Sequence, residues 1–386
     1  MKILYIGGFE LPDRNAAAQR VIANAKLLRD LGHEVILQGV DKSRSGSGKG
    51  VEKYGEDFWG FSSYRVAYPE TFLRWIRFVI SATSEINFIR ENKIDCVIAY
   101  NFPAVALWRL WRWCRCRGVR VVSDCTEWYI PSGNPLRKFI KAADIEFRMK
   151  VVHPRLDGLI AISRYLYDYY KLRMKNVLLL PPLVDKCDDK WDVPQSARAQ
   201  ELSFVYAGSP GGIKDRLDWT IGFFTEIAKE NGTSFHFTVL GITEEEYLKT
   251  AALPQSIRKN VSFWGRVSHK DALRAISAAD YQIFFRERNL ANMAGFPTKF
   301  VESISCGTPV ITNEFSNIAD YMKDGENGIL LDLNNSEEIR DLMKQVMSRG
   351  KKGRPVVRDG IFDYRIYRDV MRNFFDALWV SCVRRS

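Results

Sequence analysis

The order of strands and helices constrains this chain more than any other feature. Lys2–Ile6 is a short apolar run, Gly7–Ala18 is a loop with Pro12, Asp13 and Asn15, and Gln19–Leu31 spaces Val21, Ile22, Ala25 and Leu28 as one helical face. Gly32 stands where a residue just past a helix C-cap belongs, and Glu34–Gln38 is the next strand. Strands that are apolar throughout are buried on both faces, and strand–helix–strand units of that kind build parallel sheets. The pattern recurs at Cys96–Tyr100, Ala104–Arg117 and Val119–Ser123, with later strands at Leu159–Ile162 and Val177–Leu180. Asp185–Ala199 interrupts it with charges, Pro194 and Ser196, and reads as a linker.

Beyond the linker the alternation restarts. Strands are expected at Ser203–Ala207, Phe235–Leu240, Val261–Trp264, Tyr281–Phe285, Pro309–Thr312 and Ile329–Leu331. Helices are expected at Asp218–Lys229, Lys270–Ala278, Thr298–Ser305 and Ser336–Met347. Tyr364–Val380 is an aromatic-rich helix suited to packing back on the body. The economical architecture is α/β, with Rossmann-like domains at 1–185 and 186–363 and a returning helix over 364–386, a length of 386 residues being ample for two cores. Ligands of open parallel sheets bind beyond the carboxyl ends of the strands. Two such domains facing each other are expected to form a cleft that closes by hinge motion.

Composition narrows the classes. Charged residues at 27% and hydrophobic residues at 46% argue against disorder. No apolar run approaches the roughly 18 residues of a membrane span. The apolar stretch at the start covers only Ile3–Ile6, with Glu10, Asp13 and Arg14 close behind, so it is a strand and not a leader, and the expected compartment is the cytosol. The seven cysteines are scattered, Cys114 and Cys116 lack a neighbouring His, and His33, His153, His236 and His269 are far apart, so no metal site is expected. Charge is uneven. Residues 1–185 hold 29 Lys/Arg against 19 Asp/Glu, and residues 186–386 hold 28 against 27, which points to an anionic partner for the amino-terminal half.

The most informative motif is Ala294–Pro309, AGFPTKFVESISCGTP. Gly295, Phe296 and Pro297 make a tight turn, Thr298 is a candidate N-cap, and free amides at a helix start attract an anion. Lys299 opposes the helix dipole there, a placement that suits a phosphate neighbour, and Glu302 can accept hydrogen bonds from a sugar diol. An ordinary capped helix with a solvated Glu–Lys pair would carry the same residues. Gly208–Lys214, GSPGGIK, follows a strand and precedes a helix; its glycines let backbone approach a diphosphate, and Lys214 adds a point charge.

Together these segments resemble the carboxy-terminal donor site of family-4 glycosyltransferases with the GT-B fold, of the bacterial surface-polysaccharide type. The likeness is strongest over 203–332. Glu302 takes the position of the family's second glutamate, which implies contact with the ribose hydroxyls, while the first glutamate's position holds Ala294. Lys214 matches the family's lysine, and Ser209 stands where the family has an arginine, which leaves Arg216, Arg266 or Arg286 to compensate. The loop before the first helix carries small residues, Ala16 and Ala17, where the family approaches the donor phosphates with glycines. The Asp324–Gly328 turn, also family-like, serves the fold. The resemblance implies a hexosyltransferase with a UDP- or GDP-linked sugar as co-substrate, retention of configuration, and no metal or other cofactor.

The acceptor side is marked more faintly. Asp124 and Glu127 follow a strand in a region where family members place a catalytic histidine; either carboxylate is a candidate general base, or else a loop-stabilising group. Ala104–Arg120 and Phe72–Arg77 mix tryptophan, phenylalanine and arginine, as segments lying in an anionic membrane interface do. A core-facing helix with a solvated basic face has the same pattern. No nucleic-acid motif is present. The expected partners are therefore a nucleotide sugar, a lipid-linked or membrane-proximal glycan and the inner membrane face. A silent nucleotide-sugar or glycan-binding protein, or an epimerase on the same fold, would share these features.

Overall fold

The computed structural model describes residues 1–43, 50–129, 131, 134–191, 201–210, 214–231, 235–323, 325–335, 337, 339–341, 344, 346, 357 and 359–380. Gly211–Ile213 of the glycine-rich loop, Asp324, residues 192–199 of the linker and much of the expected helix 336–347 lie outside them. The chain divides into two compact units, one of Met1–Val184 with Asp363–Ser386, the other of Asp185–Phe362.

The first unit is built on eight strands: β1 (Lys2–Gly7), β2 (Glu34–Asp41), β3 (Val51–Lys53), β4 (Ser62–Ala67), β5 (Cys96–Tyr100), β6 (Arg120–Cys125), β7 (Gly158–Ala161) and β8 (Val177–Leu179). Their order is β3-β4-β2-β1-β5-β6-β7-β8, all parallel except the short edge strand β3. Alternate residues of β1 serve two cores. Ile3 and Tyr5 join one with Val21 and Leu28, while Leu4 and Ile6 join the other with Leu107 and Leu110. That double burial is why β1 is apolar without alternation. The helix Ala16–Asp30 starts three residues earlier than the apolar spacing predicts, because the Asn15 side chain accepts from the Ala18 amide at 2.8 Å and caps it. Strands β3 and β4 and the helix Thr83–Asn92 were not anticipated; VEK and SSYRVA are too short and polar to stand out.

The C-terminal helix Arg368–Val380 belongs to this first unit. Met371, Phe374, Phe375 and Leu378 complete the core under β1, and a Cβ at Gly158 would lie 2.8 Å from both Leu378 and Phe374, so β7 needs glycine where that helix crosses it. Behind β6, His153 is fully buried between Ser123 Oγ (3.0 Å from Nε2) and Tyr170 Oη (2.9 Å from Nδ1). Tyr170 donates its own proton to the Met149 carbonyl at 3.0 Å, so it accepts from Nδ1–H, and Nε2 accepts from Ser123. Burial, aided by the Arg148 charge, pushes this imidazole well below its ordinary value of 6.5. The unfolded chain therefore binds a proton below pH 6.5 that the folded state refuses. Stability should be full above that pH and fall by about 1.4 kcal/mol per unit below it. Urea midpoints measured down to pH 5 should show the slope, and His153→Gln should flatten it; an equal slope in the variant would remove His153 as its source.

The second unit carries β9 (Leu202–Ala207), β10 (Phe235–Leu240), β11 (Val261–Gly265), β12 (Tyr281–Ile283), β13 (Val310–Asn313) and β14 (Gly328–Leu331). The sheet is parallel throughout, in the order β11-β10-β9-β12-β13-β14. Strand order reverses between β1 and β5 in the first sheet and between β9 and β12 in the second. The crevice at such a reversal is where an open α/β sheet binds its ligand.

Candidate functional site

At the second reversal, three neighbouring strands end in glycine. Gly208 after β9, Gly241 after β10 and Gly265 closing β11 have φ of 129°, 98° and 66°. The Gly208 amide donates to the Leu240 carbonyl at 3.2 Å, and the Gly241 amide to the Gly265 carbonyl at 2.7 Å. A Cβ on Gly241 would sit 2.5 Å from the Gly208 carbonyl carbon. The strand ends are thus bare backbone, open to close approach.

Beside them lies a charge cluster. Asp215, buried, accepts from Lys299 Nζ at 2.8 Å, from Arg286 Nε at 2.5 Å and from Tyr206 Oη at 2.9 Å. Arg286 is set by a reciprocal pair with Asn313, which accepts from its amide at 2.9 Å and donates to its carbonyl at 2.8 Å. Burial pushes the Asp215 carboxyl up, but the Lys299 and Arg286 charges outweigh it and hold the group well below the usual carboxylate range. Two cations on one carboxylate leave a surplus positive charge in a partly desolvated place, where an anion interacts strongly. Gly208 makes the arrangement possible: a Cβ there would come 2.3 Å from Lys299 Nζ. Gly208→Ala, strained also by its φ, should push Lys299 off Asp215 and destabilise the unit by about 1–3 kcal/mol. A thermal melt checks this, and an unshifted midpoint would contradict it.

The structure places the other expected residues as follows. Glu302 lies on the helix Thr298–Ser305, its Oε1 3.2 Å from His269 Nε2, with His269 edge-on to Trp191 at 6.4 Å. Thr298 is the first helical residue and not the N-cap; that position is Pro297, which offers no side-chain cap, so the opening amides are left to other partners. Phe296 is a correction: its ring is buried against Phe300, Tyr321 and Phe362, which makes it core and not a ligand contact. The Gly295 carbonyl accepts from Ser316 Oγ at 2.5 Å. Lys214 is exposed at the start of the segment leading to Asp215, and Ser209 and Arg266 are exposed beside the glycine ends. Arg216 is occupied by Asp218 at 2.6 Å and by Glu287, leaving Arg286 as the arginine that reaches the cluster.

In the first unit, Ala16 and Ala17 form the opening turn of the first helix. Asp124 is the second correction. It is fully buried and accepts from Arg20 Nε at 3.0 Å, from Arg20 Nη2 at 2.8 Å and from Tyr5 Oη at 2.5 Å. Arg20 also donates to the Leu180 and Pro181 carbonyls at 3.1 and 3.0 Å. A carboxylate enclosed in this way fastens the first helix to β6, with Arg20 tying it also to the chain just after β8, and has no face for an incoming hydroxyl. Glu127 is half-buried in the loop beyond β6, next to Thr126, whose hydroxyl accepts from Asn101 Nδ2 at 2.6 Å. Asp215 was not anticipated; the signal was Lys299, a cation at the wrong end of a helix dipole that needed a nearby anion.

Three solved structures show the architecture. Sucrose-phosphate synthase from Thermosynechococcus elongatus matches with a TM-score of 0.67 at 12% identity, covering 98% of this chain and 99% of its own. HepE of Anabaena, in complex with UDP-glucose, matches with 0.63 at 15%, covering 98% and 100%. The lipopolysaccharide outer core galactosyltransferase WaaB, in its apo form, matches with 0.61 at 15%, covering 98% and 99%. The fold is GT-B. Within this GT-B chain, residues 214–358 match the family model of glycosyl transferases group 1. That span begins at Lys214 and takes in Asp215, Arg286, Lys299 and Glu302. No curated protein matches the sequence.

Proposed function

We propose that this GT-B protein transfers a hexose from a nucleotide-diphosphate sugar to a hydroxyl of a lipid-linked or membrane-proximal glycan, in surface-polysaccharide assembly. The observation that carries the reading is the surplus charge of Lys299 and Arg286 around Asp215, beside the bare Gly208 end at the strand-order reversal. Transfer releases a diphosphate, and its negative charge grows as the glycosidic bond to the donor breaks. Lys299, Arg286 and Lys214, with the uncapped Thr298 amide at the helix start, meet that charge without reorganising, which lowers the barrier to departure and lets the reaction proceed without a metal. Glu302 takes the ribose hydroxyls, oriented by His269. Retention follows if the acceptor attacks from the face the diphosphate leaves. Glu127 is the remaining candidate for receiving the acceptor proton.

The membrane side rests on the first unit. No helix among the described residues is long and apolar enough to cross a bilayer. The helix Phe72–Ile80 buries none of its residues; Leu73 is 80% exposed and Phe139, on the helix Pro135–Phe147, is 72% exposed. Arg74, Arg77, Arg137 and Lys138 are exposed around them, and Arg137 lies over the Phe72 ring. Apolar tips ringed by cations suit insertion into an anionic leaflet. The helix Ala104–Arg115, by contrast, commits Leu107, Leu110, Trp111 and Cys114 to the core. The test is a panel of UDP-, GDP- and other nucleotide sugars, with nucleotide release followed with and without membrane lipid extract. Release of one nucleotide, raised by the extract, is expected; binding without release in every extract would leave a silent binding protein.

A further inference from the structure

The amino-terminal edge of the first sheet carries a second concavity, separate from both strand-order reversals. A groove of about 690 Å³ lies where Arg120 opens β6, Asp157 precedes β7 and Asn176 precedes β8. Asp124 is four residues further along β6, about 13 Å away at strand rise, so the groove and the carboxyl-end crevice occupy opposite ends of the same strands.

Five cations line it, Arg112, Arg115, Arg120, Arg155 and Lys175, against one carboxylate, Asp157. That carboxylate is already used: Oδ1 accepts from Arg120 Nη1 at 2.9 Å and Oδ2 from the Val121 amide at 2.9 Å. Among the described residues, Arg112, Arg115, Arg155 and Lys175 have no carboxylate in ion-pair range. Two of them are held in place by aromatic rings. Arg155 lies over Trp108 at 5.7 Å and Arg115 over Trp111 at 5.3 Å, and the two indoles pack 5.0 Å apart. A guanidinium held against a ring loses less freedom on binding and keeps N–H groups for phosphate oxygens, Arg115 its whole edge and Arg155 those left after Nη1 donates to the Val151 carbonyl at 2.6 Å. Like charges gathered in a concavity repel one another and focus a positive potential, which a multivalent anion relieves.

We propose that this groove binds a ligand carrying two or more phosphate charges, whether a soluble polyphosphate ester or the headgroup of an anionic phospholipid. The proposal is independent of the glycosyl-transfer reading, since it uses none of the same residues. The test compares the full-length protein with an Arg112→Glu, Lys175→Glu variant, two exposed positions with no partner to lose, and with Lys175→Glu alone as a milder change. Calorimetric titration with sodium tripolyphosphate reads the soluble arm, and co-sedimentation with cardiolipin-containing vesicles, whose headgroup carries two phosphates, reads the lipid arm. Binding in at least one arm, weakened about tenfold or more by the double variant at an unchanged melting temperature, is expected, because each lost charged contact is worth about a factor of ten. Which arm responds names the source. The proposal is overturned if neither probe binds the native protein, or if the double variant binds as tightly as the native chain, the result expected were the anions held at Lys299 or on the Phe72–Ile80 helix instead.

Discussion

Asp124→Ala should lower the stability of the amino-terminal unit by about 3–5 kcal/mol, the loss typical when one partner of a buried ion pair is removed. Arg20 is only 2% exposed at its side chain and would keep its charge with just the Leu180 and Pro181 carbonyls for company. Tyr5 Oη would lose its acceptor as well, although Asn24 Nδ2 still reaches it at 3.1 Å. The Tyr5 hydroxyl is held well above its ordinary pKa, by burial first and by the Asp124 charge next, so it stays neutral and supplies no compensating anion. Urea unfolding of Asp124→Ala measures the loss, and an Arg20→Met, Asp124→Leu double variant should recover much of it because no charge is then left buried. A single variant as stable as the native chain would contradict the structural role and return Asp124 to the list of candidate bases.

Lys299→Ala should have the opposite profile, a fall of about 10²–10³ in turnover of a nucleotide sugar, the usual cost of removing one preorganised charge-stabilising group. Its stability effect should be small, because Asp215 keeps Arg286 and Tyr206 as partners. Steady-state kinetics on the donor found in the panel, beside a melting curve, separates the two quantities. If Lys299 only supports the fold, the melt will move and turnover per folded molecule will not.

The contrast between these two residues shows what sequence could and could not reveal. The architecture was legible because double-sided burial forces uninterrupted apolar strands such as KILYI and CVIAY, with a helix between successive strands to cross the sheet. The glycine turn at Gly208 and the helix with Lys299 and Glu302 were legible too, since local chain geometry sets them. Ion-pair partners were not. Arg20 and Asp124 are 104 residues apart, and Asp215 and Arg286 are 71 apart, so no local pattern joins them. A carboxylate at the end of a strand looks like a candidate base until its buried arginine is seen. Likewise Phe296 sits inside the tight turn before the Lys299 helix by sequence, yet its ring turns inward to Phe300 and Phe362. The Phe72–Ile80 helix and the Ala104–Arg115 helix carry the same mixture of aromatics and arginine, and only packing shows that the first is uncovered while the second is half core.

The central claim is that Lys299 and Arg286, poised on Asp215 beside Gly208, grip the diphosphate of a nucleotide. Calorimetric titration of the full-length protein with UDP and GDP, each beside its monophosphate, tests it most directly, with Lys299→Ala run in parallel. The account predicts that one diphosphate binds at least about tenfold more tightly than its monophosphate, since it adds charge-assisted contacts worth about 1.5–3 kcal/mol each, and that the variant loses this difference. Equal affinity for mono- and diphosphates, or a variant that binds as the native protein does, would contradict it.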